Sequence, residues 1–276
     1  MPGKDILVVI DSAATAARLL EPAAALAKRF DGRLTGFFAT GLPAATSFGD
    51  LASGAQLVDA FMGAQRDEGV RAEAAFRQEL GRLQMTGDWL WREADLTESV
   101  TTVGRLYDLV VLAQPDRDAE SPVPRMLPED LVMVLGRPVL MIPYIGEFTT
   151  FDHVLIAWNG TREAARALHD AMFVIERADA VTVIEVEASG SAGGLPNPAT
   201  AEVVAALKRR GIEAAAESTV TDGTPVADII LSRAADLTAD LIVMGAYGHS
   251  RLRELVMGGT SRSIFQEMTV PVLMSH

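Results

Sequence analysis

Residues 240–261 read Asp240-Leu-Ile-Val-Met-Gly245-Ala-Tyr-Gly248-His-Ser-Arg-Leu-Arg-Glu-Leu-Val-Met-Gly258-Gly259-Thr260-Ser261, an apolar strand-like run that leads into a glycine-rich segment. A glycine at a strand's end lets backbone approach a ligand, because no Cβ stands in the way. Gly245 and Gly248 free the amides of the turn. The N-terminal amides and hydroxyls of a helix entered at Gly258, Gly259, Thr260 and Ser261 add donors suited to phosphate oxygens. Thr260 and Ser261 read equally well as N-caps, and one residue can serve both roles. His249 lies inside the segment and Arg262 directly after it, so each is a candidate anion contact, although a helix-surface arginine also reads as solvated.

Outward from this segment the second half alternates strand and helix. Periodicity predicts strands over 153–158, 180–187, 213–220, 240–245 and 270–275, with helices over 161–177, 197–210, 224–237 and 259–268. That order specifies a parallel sheet covered by helices, and the continuous apolar strands fit burial on both faces. Right-handed crossovers put the C-terminal ends of these strands on one rim, where ligands of such sheets sit. Asn159-Gly160-Thr161 at the end of the first of them and Gly245 at the end of the fourth thus converge on one ligand.

The first half repeats the pattern. Lys4–Ser12 aligns with Asp152–Gly160, each an apolar strand before an alanine-rich helix, and Ala16-Ala17-Arg18 falls on Ala164-Ala165-Arg166. Asp108–Ala113 corresponds to Asp240–Gly245, and Pro138–Met141 to Pro271–Met274. Three strand matches in one order specify two tandem doubly wound parallel-sheet domains, 1–146 and 151–276, joined by a short stretch around Tyr144–Thr150 that implies contact between them.

Composition narrows the function. A net charge of −13 would repel a nucleic-acid backbone or an anionic membrane, so neither is expected as the main partner. No cysteine is present, which removes disulfides, thiolate metal sites and cysteine nucleophiles. The N-terminus Met-Pro-Gly-Lys-Asp carries no apolar signal segment, and the apolar stretch Leu131–Ile145 is broken by Gly136-Arg137-Pro138, so the expected location is the cytoplasm. Gly-x4-Gly-Lys-Ser/Thr, Gly-x-Gly-x-x-Gly and His-Glu-x-x-His motifs are all absent, and the four histidines have no metal-ligand spacing.

The spacing Gly245-x2-Gly248-x9-Gly258 resembles the nucleotide-binding signature of the universal stress protein family, and the alternating order resembles its adenine-nucleotide alpha-hydrolase-like fold. The resemblance implies ATP, with Mg²⁺ on its phosphates, as the ligand of the second domain. The family usually places Ser or Thr straight after its last glycine; here Gly259 stands there, with Thr260 and Ser261 displaced. An aspartate at the end of the first strand contacts the adenosine part in the family, and Asn159 is the matching residue. Val186 matches a position lining the adenine pocket, and Ala157, Trp158 and Met244 complete the implied set. Trp158 reads either as a base-stacking ring or as packing, and Val186 either as pocket or as core. The family's members dimerise through their last strands, which implies that Arg137–Pro143 pairs with Val270–Met274 inside one chain as a pseudo-dimer, with a further homodimer left open.

In the first half Ala113 and Asp116 stand where Gly245 and Gly248 stand in the second, and Pro115 offers no N–H, so no triphosphate site is expected there. Leu42–Ala64 is expected to form a flexible cover or an apolar pocket. The implied function is a stress-response regulator whose nucleotide state biases an unidentified protein partner. Two alternatives stay open: a slow ATP hydrolase, for which Asp240 and Glu254 are the candidate acids, and a nucleotide-free interaction scaffold.

Overall fold

The computed structural model describes residues 4–41, 51–114, 128–146, 148, 150–187, 200–246 and 259–276. In chain order the first half contains β1 (Asp5–Val9), α1 (Ala13–Phe30), β2 (Arg33–Ala39), α2 (Leu51–Arg82), β3 (Gly87–Arg92), α3 (Leu96–Gly104), β4 (Leu109–Ala113), α4 (Pro128–Leu135) and β5 (Val139–Ile142). The second contains β6 (His153–Trp158), α5 (Arg162–Asp170), α6 (Met172–Ile175), β7 (Ala180–Glu187), α7 (Thr200–Lys208), β8 (Ala215–Val220), α8 (Val226–Asp236), β9 (Leu241–Gly245), α9 (Gly259–Glu267) and β10 (Val272–Ser275).

All ten strands form one sheet in the order β3-β2-β1-β4-β5-β10-β9-β6-β7-β8. Each half has the same internal order, and every pairing is parallel except that of β5 with β10. There Val272 faces Met141, Leu273 faces Leu140 and Met274 faces Val139. The expected pairing of the last strands within one chain is therefore present. Because this central pair is antiparallel, the strand C-terminal ends of the two halves lie at opposite edges of the sheet.

Alternation along the strands sorts the core into two layers. Ile6, Val8, Val154, Ile156 and Leu273 meet α1, α2, α5, α6 and α7 on one face. Leu7, Leu155, Met244, Val272 and Met274 meet α3, α4, α8 and α9 on the other. The central strands are buried on both faces as expected. The edge strand β8 is not, and its run Ala-Ala-Glu-Ser-Thr-Val alternates toward solvent.

Several boundaries differ from the sequence reading. The helix expected over 161–177 is two, because the chain turns at Ala171 before α6. Residues 51–64, expected within a cover or pocket, are helical and open the 32-residue α2; residues 42–50 lie outside the described residues. Ala72, Phe76 and Leu80, spaced four apart, form the buried stripe of α2, and Phe76 lies 5.2 Å from the Trp89 ring. Burial of that stripe stabilises a helix whose small and glycine residues alone read as a loop.

A second set of contacts joins the halves away from the central strands. Arg29 at the end of α1 pairs with Asp152 at 2.6 Å. Arg29 Nη2 donates to the Arg177 carbonyl, and Arg177 Nη1 donates to the Arg29 carbonyl. The Arg177 guanidinium lies over the Phe30 ring at 4.7 Å, and Phe30 meets Phe173 edge-on at 5.0 Å. Arg29 and Arg177 occupy equivalent places in the repeat, both 148 residues apart as are Asp11 and Asn159.

Candidate functional site

The neighbouring strands β6 and β9 are in register, Ala157 beside Met244, so their C-terminal ends are adjacent. Asn159 follows β6 and is exposed. Its Oδ1 accepts from Thr161 Oγ1 at 2.8 Å and from the Thr161 amide at 3.3 Å. Thr161 is the N-cap of α5, and its hydroxyl oxygen accepts from the Ala164 amide at 3.2 Å. The helix start thus holds the Asn159 carbonyl oxygen in place and leaves the exposed side chain at the rim.

Strand parity decides which expected residues come together. Ala157, Val186 and Met244 belong to the layer under α8 and α9; the first two are half-buried and Met244 is buried. Trp158 points into the opposite layer, where it is 7% exposed among α5 residues. Of the two readings of Trp158, packing is the one its placement matches, and its ring is on the other face from Ala157 and Val186.

Gly245 also faces that opposite layer. A Cβ on it would lie 2.4 Å from the Ala164 nitrogen and 2.5 Å from the Glu163 carbonyl carbon. Both are backbone atoms of the first turn of α5 and cannot swing aside. The glycine at the end of β9 therefore admits the helix, a close approach that the sequence reading assigned to a ligand.

At the far side of the glycine segment, Gly259 opens α9, is exposed and would have nothing near an added Cβ; Thr260 is half-buried and Ser261 is buried. Gly248, His249, Gly258 and Glu254 lie outside the described residues, as do Pro115 and Asp116 of the first half. Asp240 is at the opposite end of β9 from the rim. Its carboxylate accepts from the amides of Asp152 at 3.0 Å and His153 at 2.8 Å and from Thr150 Oγ1 at 2.8 Å. It ties strand starts together and is displaced from any ligand at the rim, which removes it as a candidate water-ordering acid.

One feature of the rim was not legible. Glu163, in the first turn of α5, is 4% exposed. Burial alone would raise its carboxyl, but the hydrogen bond from Arg162, one from its own backbone amide and the charges of Arg162 and His276 outweigh burial and hold it below the usual carboxylate range. A buried anion in the first turn of a helix also meets the positive end of the dipole. Among the described residues no group of three or more His, Asp or Glu side chains is arranged to hold a metal ion, and no helix is long and apolar enough to cross a membrane.

A helix-covered parallel sheet repeated about an antiparallel strand pair, with strand ends and helix N-termini meeting at a rim, defines a tandem α/β protein. The universal stress protein family model matches residues 150–276, and the second half is similar to that family. The chain is 30% identical over 149 residues to the universal stress protein Slr1230 of Synechocystis, a match covering 52% of this chain and 49% of that protein. It thus spans about half the length of this curated relative. A universal stress protein structure from Archaeoglobus fulgidus is similar over 98% of this chain and 97% of its own, at 20% identity and a TM-score of 0.72. The structure of PA1789 from Pseudomonas aeruginosa, described as functionally unknown, is similar over 98% of this chain and 91% of its own, at 18% identity and a TM-score of 0.59. At these identities the structural likeness concerns the fold, and it extends over both halves.

Proposed function

We propose that the second half, taken as a domain of residues 151–276, binds an adenine nucleotide, ATP with Mg²⁺ on its phosphates, and that the bound state biases association with a protein partner in the cytoplasm. The observation that carries this reading is the meeting of β6 and β9 ends under α9 on one face of the sheet. Half-buried Ala157 and Val186 offer an apolar seat beside buried Met244. Exposed Asn159, oriented by Thr161, offers an amide to a ribose or base. Gly259, Thr260 and Ser261 offer the amides and hydroxyls of a helix start to phosphate oxygens. With no carboxylate cluster among the described residues, the metal would ride on the phosphates.

The first half, residues 1–146 in this division, has Ala113 in place of Gly245 and is the half we assign no triphosphate. Calorimetry with Mg·ATP on the purified chain tests the reading, alongside Asn159→Ala and Thr260→Ala variants checked for folding. One nucleotide per chain, weakened by about tenfold in either variant, supports it. A folded wild type that binds none leaves an interaction scaffold as the better account.

A further inference from the structure

Gln114 directly follows β4, at the rim of the first half. Because the two halves are antiparallel, that rim lies beside the strand starts of the second half and the C-terminal end of α9. The side chain is 1% exposed. Its Nε2 donates to the Phe265 carbonyl at 2.9 Å, and its Oε1 accepts from the Tyr144 amide at 3.1 Å. Its backbone N–H donates to the Ile142 carbonyl at 2.8 Å.

Phe265 lies in the last turn of α9, where carbonyls lack partners within the helix. One of these is thus capped from the other half. The opposite end of α9 carries Gly259, Thr260 and Ser261. A nine-residue helix is a rod of about 13 Å, so one end is held by the first half while the other stands at the second half's rim. The two bonds use a donor and an acceptor on separate atoms at the end of one side chain, the pair that a primary amide carries. Glutamate would set an oxygen against the Phe265 carbonyl, and leucine would take this partner from both the buried Phe265 carbonyl and the Tyr144 amide.

The link runs one way. In the repeat Gln114 corresponds to Ala246, which has no side chain to reach the end of α4, and whose carbonyl is taken by His276 Nδ1 at 3.0 Å.

We propose that Gln114 is a positioning residue that couples the first half's rim to the phosphate-contacting end of α9; the ligand part of this inference rests on the nucleotide reading above. The test combines amide hydrogen exchange on the nucleotide-free chain with Mg·ATP affinity, for wild type, Gln114→Glu and Gln114→Leu. Phe76→Leu, a core change in the first half remote from α9, serves as a control for lost stability. The expected result is exchange in residues 261–268 faster by about tenfold or more in both Gln114 variants, beyond any change elsewhere, with ATP affinity lower by about tenfold. Phe76→Leu lowers the melting temperature with neither effect.

Exchange in α9 that matches wild type, or that rises only in step with the rest of the chain, overturns the positioning role whatever ATP does. Faster α9 exchange with unchanged ATP affinity overturns the coupling. A wild type that binds no ATP sinks the nucleotide reading and the coupled part with it, while the exchange measurement still decides whether Gln114 holds α9.

Discussion

Leu140 lies directly opposite Leu273 in the central antiparallel pair, and each is the other's counterpart in the internal repeat. A residue that faces its own equivalent marks a two-fold axis, the property of an isologous interface between identical subunits. The flanking pairs obey the same relation, since Val139 faces Met274 and Met141 faces Val272. The reciprocal bonds between Arg29 and Arg177 repeat it at a second point. Two separated points of symmetric contact fix the relation between the halves as a body, which one strand pair alone would leave free to hinge.

That second point is open to measurement. Truncating Arg29 or Arg177 to alanine removes a charged donor from a backbone carbonyl, and each change should lower stability by about 1–2 kcal/mol. The two side chains share the Phe30 neighbourhood, so the double variant should depart from additivity by about 0.5 kcal/mol or more. Urea titrations of the four proteins measure this; strictly additive losses would show the two contacts to be independent.

Gly245→Ala should destabilise the chain by about 2–3 kcal/mol, because the new methyl meets the backbone of α5 rather than a movable side chain. The loss should appear without any nucleotide. A variant as stable as wild type by denaturant titration would contradict the close packing of α5 on β9. It follows that substitution at Gly245 is a poor probe of ligand binding, and Asn159 or Thr260 a better one.

Thr161→Val should cost about 1–2 kcal/mol through loss of the α5 cap. It also removes one of the bonds that hold the Asn159 oxygen, leaving the one from the Thr161 amide. Asn159→Asp retains that acceptor and should keep the cap, so its stability should stay within about 0.5 kcal/mol of wild type. Thermal melts of both variants separate the two roles.

Acid should weaken the fold through Glu163 and Glu217. The second is held below its ordinary range by hydrogen bonds from Arg233, at 2.6 Å to each oxygen, and by that residue's charge, which outweigh burial. A carboxyl bound more tightly as an anion in the folded chain adds stability that is complete above its unfolded value. That stability is lost as the pH falls through the lower folded value. Denaturant titrations from about pH 6 down to about pH 3 should therefore show the gap between wild type and Glu163→Gln widest at the upper end and closing toward the lower. A gap independent of pH would contradict the ionised state.

Much of this architecture is written in local sequence. Apolar runs such as Asp108–Ala113 and Asp240–Gly245 specify buried strands, and their order specifies the parallel halves. What escaped the reading depends on which atoms meet across the fold. Gly245 reads as an opening for a ligand until Ala164 is seen against it. Trp158 and Ala157 are neighbours in sequence, yet strand parity sends them to opposite layers, a signal present in the spacing. The stripe Ala72, Phe76 and Leu80 carries a helical spacing, but it lies beyond residues 42–64, whose serine, glycine and alanine content reads as a cover or pocket. Gln114 carried no signal at all, because nothing local tells a buried bridging amide from a loop residue.

The axis through Leu140 and Leu273 has an evolutionary reading. In a homodimer every substitution appears twice, so a change that spoils one site spoils both. Here each codon is counted once. Ala113 can differ from Gly245, and Gln114 from Ala246, while the shared interface is kept. Tethering also makes the halves partners at every dilution, so their association never has to compete with the concentration of the protein in the cell. Joined in one chain, the two ends of a symmetric object can thus differ from one another while their shared interface is kept.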